Sequence, residues 1–433
     1  MHNERHTAIY ILIEINQKGA YNNIALRKAL DERSNWKPHQ KAFVTELVNG
    51  TLRNQILIDY IINNFSRKPV SKMKPFIREL LRTAVYQICW MNKVPFSAAV
   101  NEAVKLARSQ GFGTLSGFVN GILRNIVRSQ ESDTLPQPTS ETTKSEAEYL
   151  SLKYSFHLWL AKSLVNLLGK DAEDFCAQSH IPPKVTICAN PLKTTRDSLM
   201  TELESAGIEC AKSETTEACL YLKKVSDITD TTAYKQGLFF VIDEGAYLAA
   251  LALKAKPGQM IIDLCAAPGG KSFACAGLME NNGQIISLDI HSHKIRLMKT
   301  MAARLGIECI TAENRDASVI NHEWDKQADA VLLDAPCSGF GIIRRKPDIK
   351  YTKTKEDVKT LAEFQRKLLS AGASYVKPGG ALVYSTCTIT KEENDDNVSW
   401  FLDNFPFVAD GESQLLLPTN NRDGFFIARM IRV

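Results

Sequence analysis

Apolar residues in the first 130 positions of the chain recur at intervals of three and four. Examples are Ile9, Leu12 and Ile13, and further along Phe76, Leu80, Ala84 and Ile88. This spacing places the apolar side chains on one face of a helix. The pattern therefore predicts an all-α domain over residues 1–130.

A seven-residue word occurs twice in this helical region. Val48–Asn54 reads VNGTLRN and Val119–Asn125 reads VNGILRN, so the copies agree at six of seven positions and begin 71 residues apart. In each copy the Val and the Leu lie four apart and share a helix face, while the Gly allows a neighbouring helix to approach closely. The repeat predicts two related helical subdomains.

The pattern changes twice after this domain. Residues 131–147 are polar and interrupted by proline, which is typical of a linker. Residues 148–240 then predict a small module, with a short helical region to about 178 followed by an α+β part. The α+β part contains a strand at Val185–Asn190 and an amphipathic segment at Thr195–Ser205.

Apolar strands alternate with helices after Pro257. This order predicts a parallel sheet with crossover helices in a domain spanning residues 241–433. The predicted strands lie near residues 259–264, 285–289, 307–311, 328–333 and 380–385. Ligands of such α/β sheets bind beyond the carboxyl ends of the strands, so functional residues are expected there.

Composition narrows the class of protein. The 433 residues are 44% hydrophobic and 23% charged, as in ordinary globular chains. No apolar run approaches the roughly 18 to 20 residues of a membrane span, and the first residues lack a signal-peptide pattern, so we expect a cytoplasmic protein. The ten cysteines are scattered, as in a reducing compartment, and the absence of Cys-x-x-Cys or paired-His spacing argues against a metal site.

The charge is unevenly distributed along the chain. Residues 1–130 hold 19 Lys and Arg against 8 Asp and Glu, a net charge of +11, which leaves −6 for the other 303 residues. A basic domain joined to a near-neutral one indicates a polyanionic partner, and nucleic acid is the usual choice.

A glycine loop follows the first strand of the predicted sheet. The segment Ile261–Ser272 reads IIDLCAAPGGKS, so the strand ends at Asp263 and Gly269-Gly270 begin the next helix. Asp289 ends the second strand, where a carboxylate can bind ribose hydroxyls, which favours an adenosine-containing ligand. The loop lacks the Gly-x-Gly-x-x-Gly that a dinucleotide pyrophosphate needs, so S-adenosylmethionine fits better.

Two cysteines stand apart from the other eight. Cys337, in VLLDAPCSG, and Cys387, in VYSTCT, each follow a strand in a turn of small residues, where the pKa of a thiol can be lowered. A thiolate that adds to carbon 6 of cytosine makes carbon 5 reactive towards a methyl donor. Asp334 could hydrogen-bond the base, and looped RNA makes the base accessible. The pattern alone leaves the nucleophile open between Cys337 and Cys387.

These motifs resemble the NOL/NOP2/Sun family of RNA cytosine-C5 methyltransferases, and within it the bacterial RsmB branch, also called Fmu or Sun. The matching segments are Asp263–Lys271, Leu333–Ser338, Ile343–Asp348, Ser385–Thr388, Glu392–Asn394 and Gly424–Arg429. Residues 1–130 resemble the NusB-like RNA-binding domain of that branch. The resemblance implies a C-terminal Rossmann-like class I methyltransferase domain with S-adenosylmethionine as cofactor. It also implies 16S rRNA as substrate, usually at cytosine 967. We expect the partner to be this RNA and not the fully assembled ribosome, and the sequence gives no indication of an obligate protein partner.

The same resemblance implies roles for individual residues. Asp289 would contact the cofactor's ribose and Asp316 its adenine. The residues implied to contact the methionine portion are Cys265, Ala266, Ala267, Pro268, Gly269, Gly270 and Lys271. The implied catalytic set consists of Cys387 as the attacking thiol, Cys337 as an aid to product release, Asp334 between cofactor and base, and Lys271.

The chain departs from the family pattern at two places. Residues 240–246 read FVIDEGA where the family commonly has Val-Gln-Asp-Ala-Ser, although Asp243 is retained. Arg315 precedes Asp316 where a Gly is usual.

Three other functions compete with this hypothesis. A DNA cytosine methyltransferase would take its nucleophile from the Pro336-Cys337 motif, but it also expects a Glu-Asn-Val motif that the sequence lacks. A scaffold that binds cofactor and RNA without methylation would not need the two thiols. A methyltransferase acting on an exocyclic nitrogen would carry Asn-Pro-Pro-Tyr or Asp-Pro-Pro-Tyr where this chain has Asp334-Ala-Pro-Cys337.

Overall fold

The computed structural model describes residues 3–223 and 228–433. The α-helices are α1 (Glu4–Lys18), α2 (Asn22–Asp31), α3 (Pro38–Arg53), α4 (Gln55–Phe65), α5 (Pro75–Trp90), α6 (Phe96–Ser109), α7 (Ser116–Glu131), α8 (Glu146–Lys153), α9 (Leu158–Leu168), α10 (Ala172–Gln178), α11 (Arg196–Ser205), α12 (Thr232–Lys235), α13 (Glu244–Ala252), α14 (Gly270–Leu278), α15 (Ser292–Leu305), α16 (Ile349–Thr352), α17 (Lys355–Tyr375) and α18 (Asp395–Asn404). Short 3₁₀ helices lie at Val70–Lys72, Gly113–Leu115, Gly169–Asp171, Ile228–Asp230, His322–Trp324 and Phe340–Ile342.

The strands are β1 (Val185–Ala189), β2 (Cys210–Lys212), β3 (Cys219–Leu222), β4 (Phe239–Val241), β5 (Met260–Asp263), β6 (Gln284–Asp289), β7 (Ile310–Asn314), β8 (Ala328–Asp334), β9 (Val376–Thr386), β10 (Phe407–Ala409), β11 (Gln414–Leu416) and β12 (Phe425–Arg432). Within the described ranges, no helix is long and apolar enough to cross a membrane.

The chain forms two compact units. Unit 1 comprises residues 1–180 together with 343–352, and unit 2 comprises residues 181–342 and 353–433. The domain boundary that the sequence predicts between residues 240 and 241 does not coincide with the division into these two units. Helices α8–α10, which the sequence pattern places in the module 148–240, belong to unit 1, whereas the strands that follow them belong to unit 2.

Unit 1 is helical, as the sequence predicts. Its core is formed by α1 and α3–α7, and α5 is its central helix because buried residues lie on every face of that helix. The four predicted apolar positions of α5, namely Phe76, Leu80, Ala84 and Ile88, are all buried. A helix with buried residues on every face lies inside a bundle, and the buried Glu79 and Arg82 of α5 form an ion pair there.

The segment Ile343–Thr352 is anchored in unit 1 by polar contacts. The fully buried Lys350 donates from Nζ to the carbonyl oxygens of Arg53 (2.8 Å) and Tyr154 (2.9 Å). The hydroxyl of Tyr351 donates to Leu52 O at 2.7 Å. Burial lowers the pKa of Lys350 well below its ordinary value. Main-chain carbonyl oxygens thus accept the hydrogen bonds that hold the segment in place. A buried amine requires such partners.

Unit 2 begins with a small antiparallel sheet of order β2-β3-β1-β4. Strand β1 is the predicted strand at Val185–Asn190, and α11 is the predicted amphipathic segment. The apolar cores of these elements meet around Leu199, Leu203 and Phe239. The predicted small α+β module is therefore confirmed.

The larger sheet of unit 2 has eight strands in the order β10-β12-β9-β8-β5-β6-β7, with β11 paired to β12. The five strands β9, β8, β5, β6 and β7 are parallel and are the five predicted ones. Strand β7 begins at Ile310, three residues later than predicted, because α15 ends at Leu305, Gly306 caps it and Ile307 is buried in the connection. The antiparallel strands β10–β12 were not predicted.

The order of the strands reverses beside β5. The chain runs outward from β5 to β6 and β7, and then returns to β8 on the other side of β5. The carboxyl ends of the strands at such a reversal leave a crevice that binds ligands. Asp263, Asp289, Asp334 and Thr386 are the last residues of β5, β6, β8 and β9.

The two copies of the sequence repeat lie in α3 and α7 and differ in their surroundings. A Cβ atom at Gly50 would overlap the ring of Tyr86 on α5, so glycine permits a close approach there. A Cβ atom at Gly121 would meet nothing within 4 Å. The prediction of close packing is therefore confirmed for Gly50 and wrong for Gly121.

We expect the two glycines to respond oppositely to alanine. Gly50→Ala should destabilise the α3–α5 packing by about 1–3 kcal/mol, because the added methyl group overlaps a ring in a packed core. Gly121→Ala is the matched control and should be neutral or stabilising by up to about 1 kcal/mol, because alanine is the better helix former. Amide hydrogen exchange of α3 and α5 in the full chain measures both effects. Equal protection in the two variants would contradict the assignment.

Candidate active site

The glycine loop joins β5 to α14 and exposes bare backbone at the strand reversal. Gly269 has a φ of +112°, which side chains rarely adopt, and a Cβ atom there would overlap the ring of Phe273. The N–H of Gly269 donates to Ala266 O, and the N–H of Ala266 donates to Leu288 O, both at 2.8 Å. The loop is therefore tied to β6, and only glycine fits at its end.

Asp263 is a buried carboxylate at the start of this loop. Its Oδ2 accepts from the hydroxyl of Ser272 at 2.6 Å, and Ser272 also contacts Ser287 at 3.0 Å. Its Oδ1 is buried and has no hydrogen-bond partner among the described residues. Burial raises the pKa of Asp263 to about 6. A buried acceptor without a partner is costly, so a donor such as the ammonium group of an amino acid would fit here.

Asp289 and Asp316 follow the adjacent strands β6 and β7 but differ in exposure. The side chain of Asp289 is 10% exposed, and its Oδ1 accepts from the N–H of His291 at 2.8 Å. Asp316 is exposed, and its Oδ1 accepts from the N–H and hydroxyl of Ser318 at 2.9 and 2.7 Å.

Three large apolar side chains follow these two carboxylates in the chain. Ile290, Val319 and Ile320 are 63%, 64% and 40% exposed. Exposed apolar surface beside a polar group is typical of a site for a planar aromatic ligand. The bare glycine loop, the unpartnered Asp263 oxygen and this apolar surface together fit S-adenosylmethionine.

Lys271 and Asp334 form an ion pair between α14 and β8. The distance from Lys271 Nζ to Asp334 Oδ2 is 2.6 Å, and the hydroxyl of Ser385 donates to Asp334 Oδ1 at 3.0 Å. Burial acts to lower the pKa of Lys271, but the neighbouring Asp334 carboxylate outweighs it and raises the pKa. Both oxygens of Asp334 are thus held in place by side chains of the protein itself.

The two predicted thiols meet at the ends of β8 and β9. Cys337 Sγ lies 3.3 Å from Cys387 Sγ, and both cysteines are free and half-buried. The contact with Cys387, burial and nearby negative charges raise the pKa of Cys337 well above its ordinary value. Two sulfurs at this distance can share one proton through a hydrogen bond.

Main-chain hydrogen bonds join the loops that carry the thiols. The N–H of Gly341 donates to Cys387 O at 2.9 Å, and the N–H of Gly424 donates to Gly341 O at 2.8 Å. A Cβ atom at Gly341 would overlap the main chain of both neighbours. The approach of the two loops therefore depends on a glycine at this position.

Cys265 lies in the glycine loop but differs from the two thiols above. It packs against the core that contains Ile262 and Leu264, and burial raises the pKa of its thiol. A buried thiol of raised pKa is a poor nucleophile, so we assign no nucleophilic role to Cys265.

The segment that departs from the family pattern has structural contacts of its own. Asp243 Oδ1 accepts from the N–H of Gly245 at 2.9 Å and begins α13. The buried Glu244 accepts hydrogen bonds from the hydroxyls of Ser213, Thr215 and Tyr221. Ile242 lies against Gly270, where an added Cβ would be 3.2 Å from its Cδ1.

Sequence reasoning missed the polar residues that support the thiols. Ser385 is opposite Asp334 in the β8–β9 register, and pairing the two strands by their ends would reveal it. Gln365 interrupts a buried face of α17 that otherwise contains Val358, Ala362, Leu369 and Gly372. A polar residue on an apolar helix face is a signal that sequence can supply.

Among the described residues, no group of three or more His, Cys, Asp and Glu side chains is arranged to hold a metal ion.

Comparison with known proteins identifies all three parts of the chain. Residues 250–431 match the family model described as 16S rRNA methyltransferase RsmB/F, and residues 2–128 match the NusB family. Residues 156–229 match the ferredoxin-like domain of RsmF/B-like methyltransferases. The predicted NusB-like domain and methyltransferase domain are thereby confirmed.

Relatives of the whole chain agree with these matches. The probable ribosomal RNA small subunit methyltransferase B of Bacillus subtilis (strain 168) is 38% identical, and the alignment covers 98% of each chain. The ribosomal RNA small subunit methyltransferase B of Shewanella oneidensis is 30% identical over 99% of each chain. The crystal structure of PH0851 has a TM-score of 0.79 and 28% identity over 98% of each chain. The chain therefore belongs to the RsmB/F family, and it is an S-adenosylmethionine-dependent rRNA methyltransferase.

Proposed function

We propose that the protein methylates carbon 5 of a cytosine in 16S rRNA through a covalent bond between Cys387 and carbon 6 of the base. The observation that carries this proposal is the 3.3 Å approach of two thiols beside the Lys271–Asp334 ion pair. Carbon 5 of cytosine is a poor nucleophile, and a neighbouring thiolate is the group that can activate it.

Cys387 and Cys337 have different roles in this reaction: Cys387 attacks the base, and Cys337 assists its release. The sulfur of Cys387 forms a bond to carbon 6, and the electron pair of the 5,6 double bond moves to carbon 5. When bound, S-adenosylmethionine supplies an electrophilic methyl group to that carbon. A base then removes the proton from carbon 5, and the bond to Cys387 breaks. Cys337 stabilises the departing sulfur by donating its S–H across 3.3 Å.

Asp334 orients the base in this proposal. A carboxylate can accept from the exocyclic amine of cytosine and from a protonated N3, and so stabilises the adduct. The ammonium of Lys271 and the hydroxyl of Ser385 fix the two oxygens of Asp334. A group held in this way needs little reorganisation during the reaction, which is why we include Lys271 in the catalytic set.

The cofactor would lie across the carboxyl ends of β5, β6 and β7. We assign its methionine portion to the loop Cys265–Lys271, its ribose to Asp289 and its adenine to the region of Asp316. The 10% exposure of Asp289 leaves its carboxylate accessible to a ligand at this edge. Asp316 is the weaker partner, because its carboxylate is exposed to water whereas that of Asp289 is largely buried.

Two observations support RNA as the partner: the positive charge of residues 1–130 and the relatives named as ribosomal RNA methyltransferases. Residues 1–130 carry a net charge of +11, and Arg67, Lys68, Lys72 and Lys74 are exposed on the connection between α4 and α5. We propose that this connection contacts phosphates of 16S rRNA, with cytosine 967 as the family's usual target. The target base must leave its stack, so free or partly assembled RNA is the substrate we favour.

The two thiols should give opposite results when replaced. Cys387→Ser should form no covalent RNA complex and no methylated product, because a hydroxyl is scarcely ionised near neutral pH. Cys337→Ala should accumulate the complex, because methyl transfer draws the first half of the reaction forward while release loses its hydrogen bond. Denaturing electrophoresis with and without nuclease detects the complex. A complex in the Cys387 variant and none in the Cys337 variant would assign the attack to Cys337, as in DNA cytosine methyltransferases.

Asp289→Ala should weaken cofactor binding about 5- to 150-fold, which corresponds to the roughly 1–3 kcal/mol of lost charge-assisted hydrogen bonds. Calorimetric titration with S-adenosylmethionine measures this change. Asp316→Ala is the comparison and should have the smaller effect, because that carboxylate is exposed to water. Wild-type affinity in the Asp289 variant would remove Asp289 from the site.

Charge reversal on the α4–α5 connection should weaken RNA binding. A triple variant, Lys68→Glu, Lys72→Glu and Lys74→Glu, should lower affinity and reduce the slope of log affinity against log salt by about 2, since each phosphate contact contributes roughly 0.7–0.9. Lys256→Glu is the control, because this exposed lysine precedes β5 and lies towards the amino ends of the parallel strands. An unchanged slope in the triple variant would exclude this surface from RNA binding.

A further inference from the structure

Glu393 is a fully buried carboxylate that belongs to none of the strand ends described above. It lies between β9 and α18 and has 0% exposure. Its Oε1 accepts from Ser338 N at 2.8 Å and from Gln365 Nε2 at 3.0 Å. Its Oε2 accepts from the hydroxyls of Ser338 at 2.5 Å and Thr390 at 2.7 Å. All four partners are donors, as an ionised carboxylate requires.

The contacts of Glu393 reach the residues next to both thiols. Ser338 follows Cys337 in the chain, and Thr388 follows Cys387. The hydroxyl of Ser338 uses its only proton for Glu393, so the hydroxyl of Thr388, 2.7 Å away, must donate to Ser338. Glu393 thus orders a hydrogen-bond chain that joins the two thiol loops.

Gln365 connects Glu393 to the residue on the other side of Cys337. Its Nε2 donates to Glu393 and to Pro336 O, both at 3.0 Å, and Pro336 precedes Cys337. Its Oε1 accepts from Asn397 Nδ2 at 2.8 Å. The main chain is therefore fixed on both sides of Cys337 by partners of one carboxylate.

The charge of Glu393 also acts on the thiol pair. The pair is faced by Asp334 at the end of β8, by Lys271 on α14, by Tyr384 on β9 and by Glu393. Glu393 and Asp334 are among the causes that raise the pKa of Cys337, after its hydrogen bond with Cys387 and burial. Negative charge beside Cys337 favours the protonated form of its thiol.

We propose that Glu393 is a positioning residue of the methyl transfer, which locks the Cys337 loop to the Cys387 loop and keeps the shared proton on Cys337 while Cys387 attacks. This inference rests on the proposed covalent mechanism. In the attack, the electron pair of the Cys387 sulfur forms the bond to carbon 6, and the proton of Cys337 stays on its own sulfur. The reactive thiol is then selected by a residue that touches neither the base nor the cofactor.

The test uses Glu393→Gln in the full chain, with Glu392→Gln as the matched control, because Glu392 is the exposed neighbour. Two quantities are measured. The first is the pH dependence of iodoacetamide alkylation at Cys337 and Cys387, resolved by mass spectrometry without RNA. The second is the rate of covalent complex formation with an RNA that contains 5-fluorocytosine.

We expect Glu393→Gln to lower the pH at which Cys337 becomes alkylated, because loss of a negative charge favours the thiolate. Complex formation should slow about 10- to 100-fold, the order expected for lost charge-assisted hydrogen bonds. Glu392→Gln should behave as wild type. A slower reaction with an unmoved alkylation midpoint would refute the selection of the thiol by charge, and wild-type values of both quantities would overturn the whole proposal.

A second variant keeps the test decisive if Glu393→Gln fails to fold. Ser338→Ala removes one contact of Glu393 but keeps its charge, so it should slow complex formation and leave the alkylation midpoint in place. A wild-type rate in Ser338→Ala would contradict the positioning role. Failure of the covalent mechanism itself is recognised separately, because the wild-type protein would then form no complex through Cys387 at all.

Discussion

The parallel pairing of β8 with β9 is the constraint on which the site depends. Asp334 lies opposite Ser385 in this register, so the chain leaves both strands at the same edge of the sheet. Two cysteines that are 50 residues apart in sequence thereby come to lie 3.3 Å apart. A shift of this register by one residue would turn Asp334 to the other face of the sheet and separate the ion pair from the thiols.

The charges of Lys271, Asp334 and Glu393 are tolerated at this edge because each group has an opposite charge or hydrogen-bond donors beside it. Lys271 and Asp334 neutralise each other, and the carboxylate of Glu393 accepts from four donors. Removing one partner from such a network leaves the other charge buried and uncompensated, which is more costly than the net contribution of the pair. The positions of the loops that carry Cys337 and Cys387 therefore depend on the ionisation of these charged side chains.

Much of this arrangement could be predicted from sequence, because local patterns determine it. Apolar runs ending in Asp263, Asp289 and Asp334 predict parallel strands with acidic ends, and glycine at 269 is required by its backbone angle. The 3.6-residue period of α5 likewise predicts a helix that packs inside a bundle. These features depend on neighbours within a few residues, and the structure confirms them.

Contacts between distant segments could not be predicted in the same way. Gly50 and Gly121 occur in nearly identical words, yet only Gly50 meets a ring from another helix. Glu393 reads as one acidic residue in a run of polar ones, and its burial follows from where α17 and the Cys337 loop converge. Strand β12 pairs with β9 in the antiparallel direction, and the periodicity of the sequence between the two strands does not determine this pairing.

The membership of Ile343–Thr352 in unit 1 has a consequence for how the chain is made. Protein synthesis proceeds from the amino terminus, so the pocket that holds Lys350 is present before Lys350 itself has been added. Unit 1 can bury that side chain only after most of the strands of unit 2 have been translated. The order of translation thus delays completion of unit 1 until the parallel strands β5–β8 already exist, and a nascent chain that ends before Ile343 would leave the carbonyl oxygens of Arg53 and Tyr154 without the amine of Lys350.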